Sequence, residues 1–120
     1  MKGPVMSDFE SLKRDLLAEC EDDFVGLWAV IAYVQDEMPS ASEAKVRETT
    51  VDLLQELLKA GQIQAGFPDS DGRTFHPWPF SADVVVDKIK ELWKPGAPRP
   101  KPGEIAWFTT PSDSSVIAHA

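Results

Sequence analysis

The sequence contains very few of the residues that usually carry metal and redox chemistry. Its 120 residues include one cysteine, Cys20, and two histidines, His76 and His119. A single cysteine excludes an internal disulfide and suits a reducing cytoplasm, and without a Cys/His cluster there is no basis for a zinc site. The segment DSDG at 69–72 has the first ligands of a calcium loop but lacks the later ones and the closing glutamate. We therefore predict a turn there, and neither a metal nor a cofactor.

Long apolar runs are also missing. The longest covers residues 24–34, and these eleven residues are too few to cross a bilayer. The N-terminal MKGPVMSDFE has no apolar core after its lysine, so it does not have the pattern of a secretory signal. A hydrophobic fraction of 42% and a charged fraction of 27% are typical of a globular protein. We expect one cytoplasmic domain over 1–120, with frayed tails at 1–6 and 112–120.

Recognisable catalytic motifs are absent from the sequence. It has no glycine-rich phosphate loop and no nucleophile elbow. The paired acids at 22–23 and 36–37 are adjacent in sequence, and adjacent side chains on a helix point about 100° apart, which is unsuitable for a catalytic pair. We predict that the protein is not an enzyme.

Positive charge is scarce in the first third of the chain. The net charge is −8, of which residues 1–38 contribute −6, with three basic residues against nine acids. A negative field repels phosphate backbones and favours basic partners. Its densest part is ECEDDFVGLWAVIAYV at 19–34, in which four acids precede eleven uncharged residues. The sequence predicts a partner-binding surface formed by Glu19, Glu21, Asp22, Asp23, Asp36 and Glu37.

Apolar spacing predicts two helices in the first third. The first covers 8–20 and begins at a capping box in which Ser7 is the cap. The second continues from Phe24 towards Met38 and is expected to be buried on most sides. Asp22 or Asp23 would cap it, since a carboxylate accepts from a free backbone N–H and suits the positive end of the helix dipole.

Two further helices are predicted after Pro39. The third begins at a capping box over 40–43, has a weak point at 47–50 where two threonines are adjacent, and ends with Gly61 as a left-handed cap. The fourth begins after Ser81 and ends at Lys94-Pro95-Gly96. Its predicted apolar face consists of Val85, Ile89, Leu92 and Trp93.

The remaining segments predict a small antiparallel sheet. Residues 62–76 alternate around a turn at 68–72 and form a hairpin, after which the prolines at 77 and 79 leave the sheet. A proline arm over 95–102 cannot be helical, and 104–110 has the composition of a last strand that pairs with the hairpin. The predicted fold class is α+β, with about four helices, the hairpin 62–76 and the strand 104–110.

The order of two helices, a third helix ending in LLQELLKAGQIQAGF and a hairpin resembles a winged-helix domain. The resemblance rests on residues 24–38 and 44–75, and on the step Leu-Leu-x-x-Gly-x-Ile-x-x-Gly that begins at Leu57. Winged helices bind DNA, RNA or proteins, so the resemblance implies a shape rather than a function. Residues 81–110 depart from the family pattern by adding a helix, the proline arm and a strand, which leaves the hairpin partly covered.

In a DNA-binding winged helix, the third helix would read the bases. Here it offers Lys45, Arg47, Gln55 and Lys59, but residues 43–59 carry a net charge of −1. A DNA reader normally needs several uncompensated cations. A winged-helix transcriptional regulator is therefore the alternative function, and it requires a basic face that forms only in the fold.

Five aromatic residues near the C-terminal end have two interpretations. They form core beneath the fourth helix, which we favour, or they line a pocket for a ligand or partner beside the proline arm. These residues are Trp78, Phe80, Trp93, Trp107 and Phe108.

Taken together, these exclusions favour a small acidic protein that acts by binding. In size and charge the chain is similar to bacterial immunity proteins, which neutralise a toxin, often a basic nuclease, by covering it. The similarity implies a basic protein partner, a toxin domain that a negative field would steer towards the surface. An adaptor within a larger complex is a third possible class.

Overall fold

The computed structural model describes residues 5–111, which form four helices and one four-stranded antiparallel sheet. The strand order is β1-β4-β2-β3. The predicted α+β class is therefore confirmed. In chain order the elements are α1 (Val5–Asp22), β1 (Val25–Gly26), α2 (Leu27–Glu37), α3 (Glu43–Lys59), β2 (Gln64–Pro68), β3 (Phe75–Pro77), α4 (Ala82–Leu92) and β4 (Trp107–Thr109).

Helix α3 is the centre of the helical layer, because it packs against α1, α2 and α4. Its N-cap is Ser42, whose hydroxyl accepts from the backbone N–H of Lys45 at 3.1 Å, so the predicted start at residue 40 is two residues early. The predicted weak point is also wrong. The hydroxyl of Thr50 donates to the carbonyl of Val46 at 2.7 Å, and the helix continues through 47–50. Gly61, with a φ of 73°, is the predicted left-handed residue after the helix.

The connection between α1 and α2 differs from the prediction. Helix α1 includes Asp22, and α2 begins only after Gly26, which caps it without any side-chain hydrogen bond. Neither Asp22 nor Asp23 is its cap; Asp23 Oδ1 instead accepts from the N–H of Phe24 at 2.8 Å. The reason is long-range pairing, since Val25 pairs with Phe108 in β4. Apolar spacing within a short window does not detect a strand partner more than eighty residues away.

The start of α1 also lies further upstream than the sequence predicted. The helix begins at Val5, so Ser7 lies inside it and is not the cap. An interior serine costs only a fraction of a kcal/mol, which is too little to stop a helix. Of the tails expected to fray, residues 5 and 6 are helical, whereas 1–4 and 112–120 lie outside the described residues.

The sheet contains the predicted hairpin, and the last strand lies inside the sheet. Strand β4 pairs with β2 as predicted and also with β1, although it is shorter than the predicted 104–110. Strand β3 extends through Pro77, which the prediction placed outside the sheet. The N–H of Trp78 donates to the carbonyl of Ala65 at 2.8 Å, so these two residues form a hydrogen-bonded pair. The next pair along the strands, Pro77 and Gly66, is therefore one in which the two residues exchange no hydrogen bonds. The nitrogen of Pro77 therefore points to the open edge of the sheet, and its lack of a hydrogen removes no hydrogen bond between β2 and β3.

Helix α4 follows the prediction at its start and differs on its apolar face. Ser81 caps it by accepting from the N–H of Val84. Leu92 is 59% exposed, so it does not belong to the buried face; Val86 does. Arg99, in the proline arm, donates through Nε to Glu43 at 3.0 Å, and this contact fastens the arm to the start of α3.

The aromatic cluster divides between core and surface. Trp93 and Phe108 are buried, as the core interpretation predicted. Trp107 is half-buried and packs edge-to-face on Trp28 with ring centroids 4.7 Å apart, whereas Phe80 is 43% exposed. The five residues therefore do not form one pocket beside the proline arm.

Cys20 packs as a small hydrophobic residue, and its burial makes stability sensitive to alkali. Burial, reinforced by Glu19 and Glu21, raises the pKa of its thiol from 9.0 to about 12. The unfolded chain loses this proton near its ordinary pKa and the folded chain does not, so between these values the folded state binds more protons. Stability should therefore fall as pH rises, with this thiol contributing about 1.4 kcal/mol per pH unit.

The matched variant for this prediction is Cys20→Ala. We expect urea unfolding at pH 8 and pH 10 to show a clearly steeper loss for the natural chain than for the variant. Equal losses in the two chains would mean that the thiol ionises equally in the folded and unfolded states.

Candidate functional site

The six acids predicted to bind a partner are all exposed, and the fold divides them into two groups. Four of them, residues 19 and 21–23, lie at the end of α1, and the other two, residues 36 and 37, end α2. With a rise of about 1.5 Å per residue, the 11 residues of α2 separate the two groups by about 16 Å. Asp15, also exposed, lies on α1 between these groups in space, since it accepts from the Tyr33 hydroxyl of α2. We call these residues the acidic surface: Asp15, Glu19, Glu21, Asp22, Asp23, Asp36 and Glu37.

Two arginines lie beside this surface, Arg14 next to Asp15 in the chain and Arg99, which donates to Gln35 in the last turn of α2, but neither forms a salt bridge with its carboxylates. From Asp15 to Ala44 the sequence has no lysine, arginine or histidine over thirty residues. Within residues 5–111, no member of the acidic surface forms a salt bridge. Elsewhere, acids do find partners: Glu56 binds Lys13 at 2.9 Å, for example. Apart from one oxygen each of Asp15 and Asp23, which accept hydrogen bonds within the protein, the carboxylates of the acidic surface are therefore available to a partner's cations.

The helix dipoles oppose the placement of these acids. The C-terminal end of a helix carries partial negative charge and favours lysine or arginine. Both α1 and α2 end in carboxylates, and neither has a basic residue in its last turn. The acids do not cap α2, as the sequence had suggested. Asp15 and Asp23 each accept one hydrogen bond within the fold, whereas the placement of Glu21, Asp22, Asp36 and Glu37 at the helix ends has no such structural explanation.

Replacing one of these acids should therefore stabilise the protein. We expect Glu21→Lys, in the last turn of α1, to raise the free energy of unfolding by about 0.3–1 kcal/mol at low ionic strength. Urea denaturation would measure the gain, and added salt should reduce it because the interaction is exposed to solvent. A loss of stability at every salt concentration would assign Glu21 a structural role instead.

An open groove of about 390 Å³ runs between α1 and α2 within this surface. The buried side chains of Leu16 and Val30 form its floor. On one side of the groove, the Tyr33 hydroxyl donates to Asp15 Oδ2 at 2.7 Å. Partial burial, together with this hydrogen bond to Asp15, raises the pKa of Tyr33, so the hydroxyl keeps its proton and acts as a donor.

The hairpin lies close to the same end of α1. The rings of Phe24 and Phe75 are tilted against each other with centroids 5.2 Å apart. In the turn, Asp71 accepts from the N–H groups of Arg73 and Thr74, which lowers the pKa of its carboxyl. The segment is therefore a self-satisfied turn, as predicted. No group of His, Cys, Asp or Glu within 5–111 is arranged to hold a metal ion.

The cations of α3 are engaged in contacts within the protein. Lys45 lies 3.3 Å from Glu48, and Lys59 lies 3.4 Å from Asp83 of α4. Arg47 donates through Nε to the carbonyl of Trp93 at 2.9 Å and lies over its ring. Each of these three cations of α3 therefore has a partner within the protein.

No protein family, curated protein or solved structure was found to match the chain. None of the helices in the described part of the chain is both long and apolar enough to cross a membrane.

Proposed function

We propose that this protein is a non-catalytic binding protein whose acidic surface docks a cationic protein. The observation that carries the proposal is that the exposed carboxylates of the acidic surface form no salt bridge within residues 5–111, and that most of them end α1 and α2, where the helix dipoles disfavour them. Residues kept at a cost in stability are commonly functional. A dense negative field attracts cationic surfaces and accelerates their association.

Neutralisation of a toxin is the biological role that fits this chemistry best. Toxins that act on nucleic acids need cationic surfaces to hold phosphates, and an anionic protein can cover those surfaces without performing any reaction. We therefore propose an immunity protein that acts in the cytoplasm, a reducing compartment in which an unpaired cysteine stays a thiol. The pairing of Lys45, Arg47 and Lys59 within the protein argues against the alternative of a DNA-binding regulator.

Affinity capture from the native host tests the proposal. We expect the natural chain to retain a basic protein that added salt releases, and that is toxic when expressed alone but tolerated with this chain. The doubly substituted chain Asp22→Lys/Asp23→Lys should retain much less of it. Asp87→Lys/Glu91→Lys is the matched control, because it changes two exposed acids of α4 and alters net charge by the same amount.

The two variants also define the contrary result. Equal capture by both variants, or retention of operator DNA instead of a protein, would contradict binding through the acidic surface.

A further inference from the structure

We propose that the groove between α1 and α2 receives an arginine side chain of the partner. The inference rests on the proposed function and makes it more specific, since it names one contact within the acidic surface. The groove combines an apolar floor with two carboxylates, Asp15 and Glu19, on its α1 side. A long side chain with a hydrocarbon stem and a cationic end matches both features.

The apolar part of the groove has room for such a stem. The alanines at 18 and 29 line it, and their single methyl groups leave the space open between the two helices. Val25 and Ala29 are only half-buried, so part of their apolar surface contacts solvent. Covering this surface with methylene groups is favourable by about 25 cal/mol per Å².

The residues that line the groove include no cation, although Arg14, next to Asp15, is close enough for its charge to act on Tyr33. Asp15 and Glu19 are four residues apart on α1, so they lie one above the other on one face, and like charges at this spacing destabilise a helix. The Tyr33 hydroxyl donates to Asp15 Oδ2, which leaves Asp15 Oδ1 and the Glu19 carboxylate to accept further hydrogen bonds. Arg14, the basic residue next to Asp15, forms no salt bridge with either carboxylate.

Arginine suits this arrangement better than lysine. Its guanidinium presents five N–H donors in a plane and can bind two carboxylates at once, and it stacks on aromatic rings such as that of Tyr33. It also loses its hydration more readily than an ammonium group. We therefore assign the groove to arginine.

A two-dimensional ¹⁵N–¹H NMR titration with N-acetyl-arginine-methylamide tests the assignment without knowledge of the partner. We expect shifts concentrated at Glu19, Val25, Ala29 and Tyr33, smaller shifts with the lysine analogue, and none there with the uncharged citrulline analogue. Shifts of equal size with citrulline or lysine would overturn the assignment, as would shifts spread evenly over all exposed carboxylates.

Substitutions on α2 provide a matched pair. Ala29→Leu fills the groove without a change in charge and should abolish the shifts, whereas Ala32→Leu alters an exposed alanine of the same helix and should preserve them. With the captured partner, Ala29→Leu should weaken binding about tenfold or more, as loss of a buried anchor does. Equal behaviour of the two variants would overturn the inference.

The two proposals can fail separately. If the arginine analogue leaves the groove unshifted while Asp22→Lys/Asp23→Lys abolishes capture of a basic protein, the groove assignment is wrong and the proposed function stands. If the analogue occupies the groove but the acid reversals leave capture unchanged, the proposed function is wrong.

Discussion

Replacement of Asp22 and Asp23 by lysine should slow association with the cationic partner by about tenfold or more at low ionic strength. Electrostatic steering of this kind accelerates association by about 10–1000-fold, and these two residues lie in the densest part of the acidic surface. The rate of the natural chain should fall steeply with added salt, and that of the variant should fall less steeply. Stopped-flow mixing with the captured partner would measure both rates.

The control for this experiment is the α4 variant, Asp87→Lys/Glu91→Lys. Both acids are exposed, and their reversal shifts the net charge by the same four units as the reversal at 22 and 23. Helix α4 packs mainly on α3, away from the acidic surface. We therefore expect the α4 variant to slow association much less than the variant at 22 and 23. If the two variants were equally slow, total charge rather than the acidic surface would control the encounter.

Phe108→Ala should lower the free energy of unfolding by about 3–5 kcal/mol, the usual cost of removing a buried phenylalanine. Phe108 is fully buried in β4, where it is paired with Val25 on one side and Ala65 on the other. Its ring therefore supports both the β1 corner, next to the acidic surface, and the hairpin. Urea denaturation followed by circular dichroism would measure the loss.

Leu92→Ala is the reference for that measurement. Leu92 is 59% exposed, so its truncation should change stability by only about 0.5 kcal/mol or less. Phe108→Leu keeps most of the apolar volume and should lie between the two, which leaves a folded variant to measure if the alanine variant unfolds. A loss at Phe108 no larger than that at Leu92 would contradict the central place of β4 in the sheet.

The features that the sequence predicted correctly are those with short-range causes. Ser81 caps α4, and Gly61 takes the left-handed conformation after α3. In both cases the residue satisfies backbone groups at a helix end that lie within four residues of it in the chain. The hairpin 62–76 was predictable for the same reason, since its turn residues and its alternation lie next to each other in the chain.

The features that the sequence did not predict depend on distant partners. Two residues, Val25 and Gly26, leave the helical pattern only because β4 pairs with them. The central position of α3 also depends on distant partners, because its neighbours include α1 and α4, whose positions no local pattern specifies. Pro77 stays in its strand because of the register with Gly66, which also depends on the tertiary arrangement.

The candidate site divides in the same way. Exposure of the acids at 19–23 and 36–37 follows from their charge, since unpaired carboxylates are rarely buried. Their division between two helix ends required the length and direction of α2. The groove required the packing of α1 against α2, and the only sequence signals for it were the small residues Ala18 and Ala29, which are too common to single out a site.

Amide hydrogen exchange on the complex with the captured partner tests the central claim most directly. If the acidic surface is the docking site, binding should slow exchange at the end of α1, at β1 and along α2, and leave the exposed side of α4 unchanged. Protection confined to α4 or to the hairpin, with exchange in residues 15–37 unaltered, would contradict the claim.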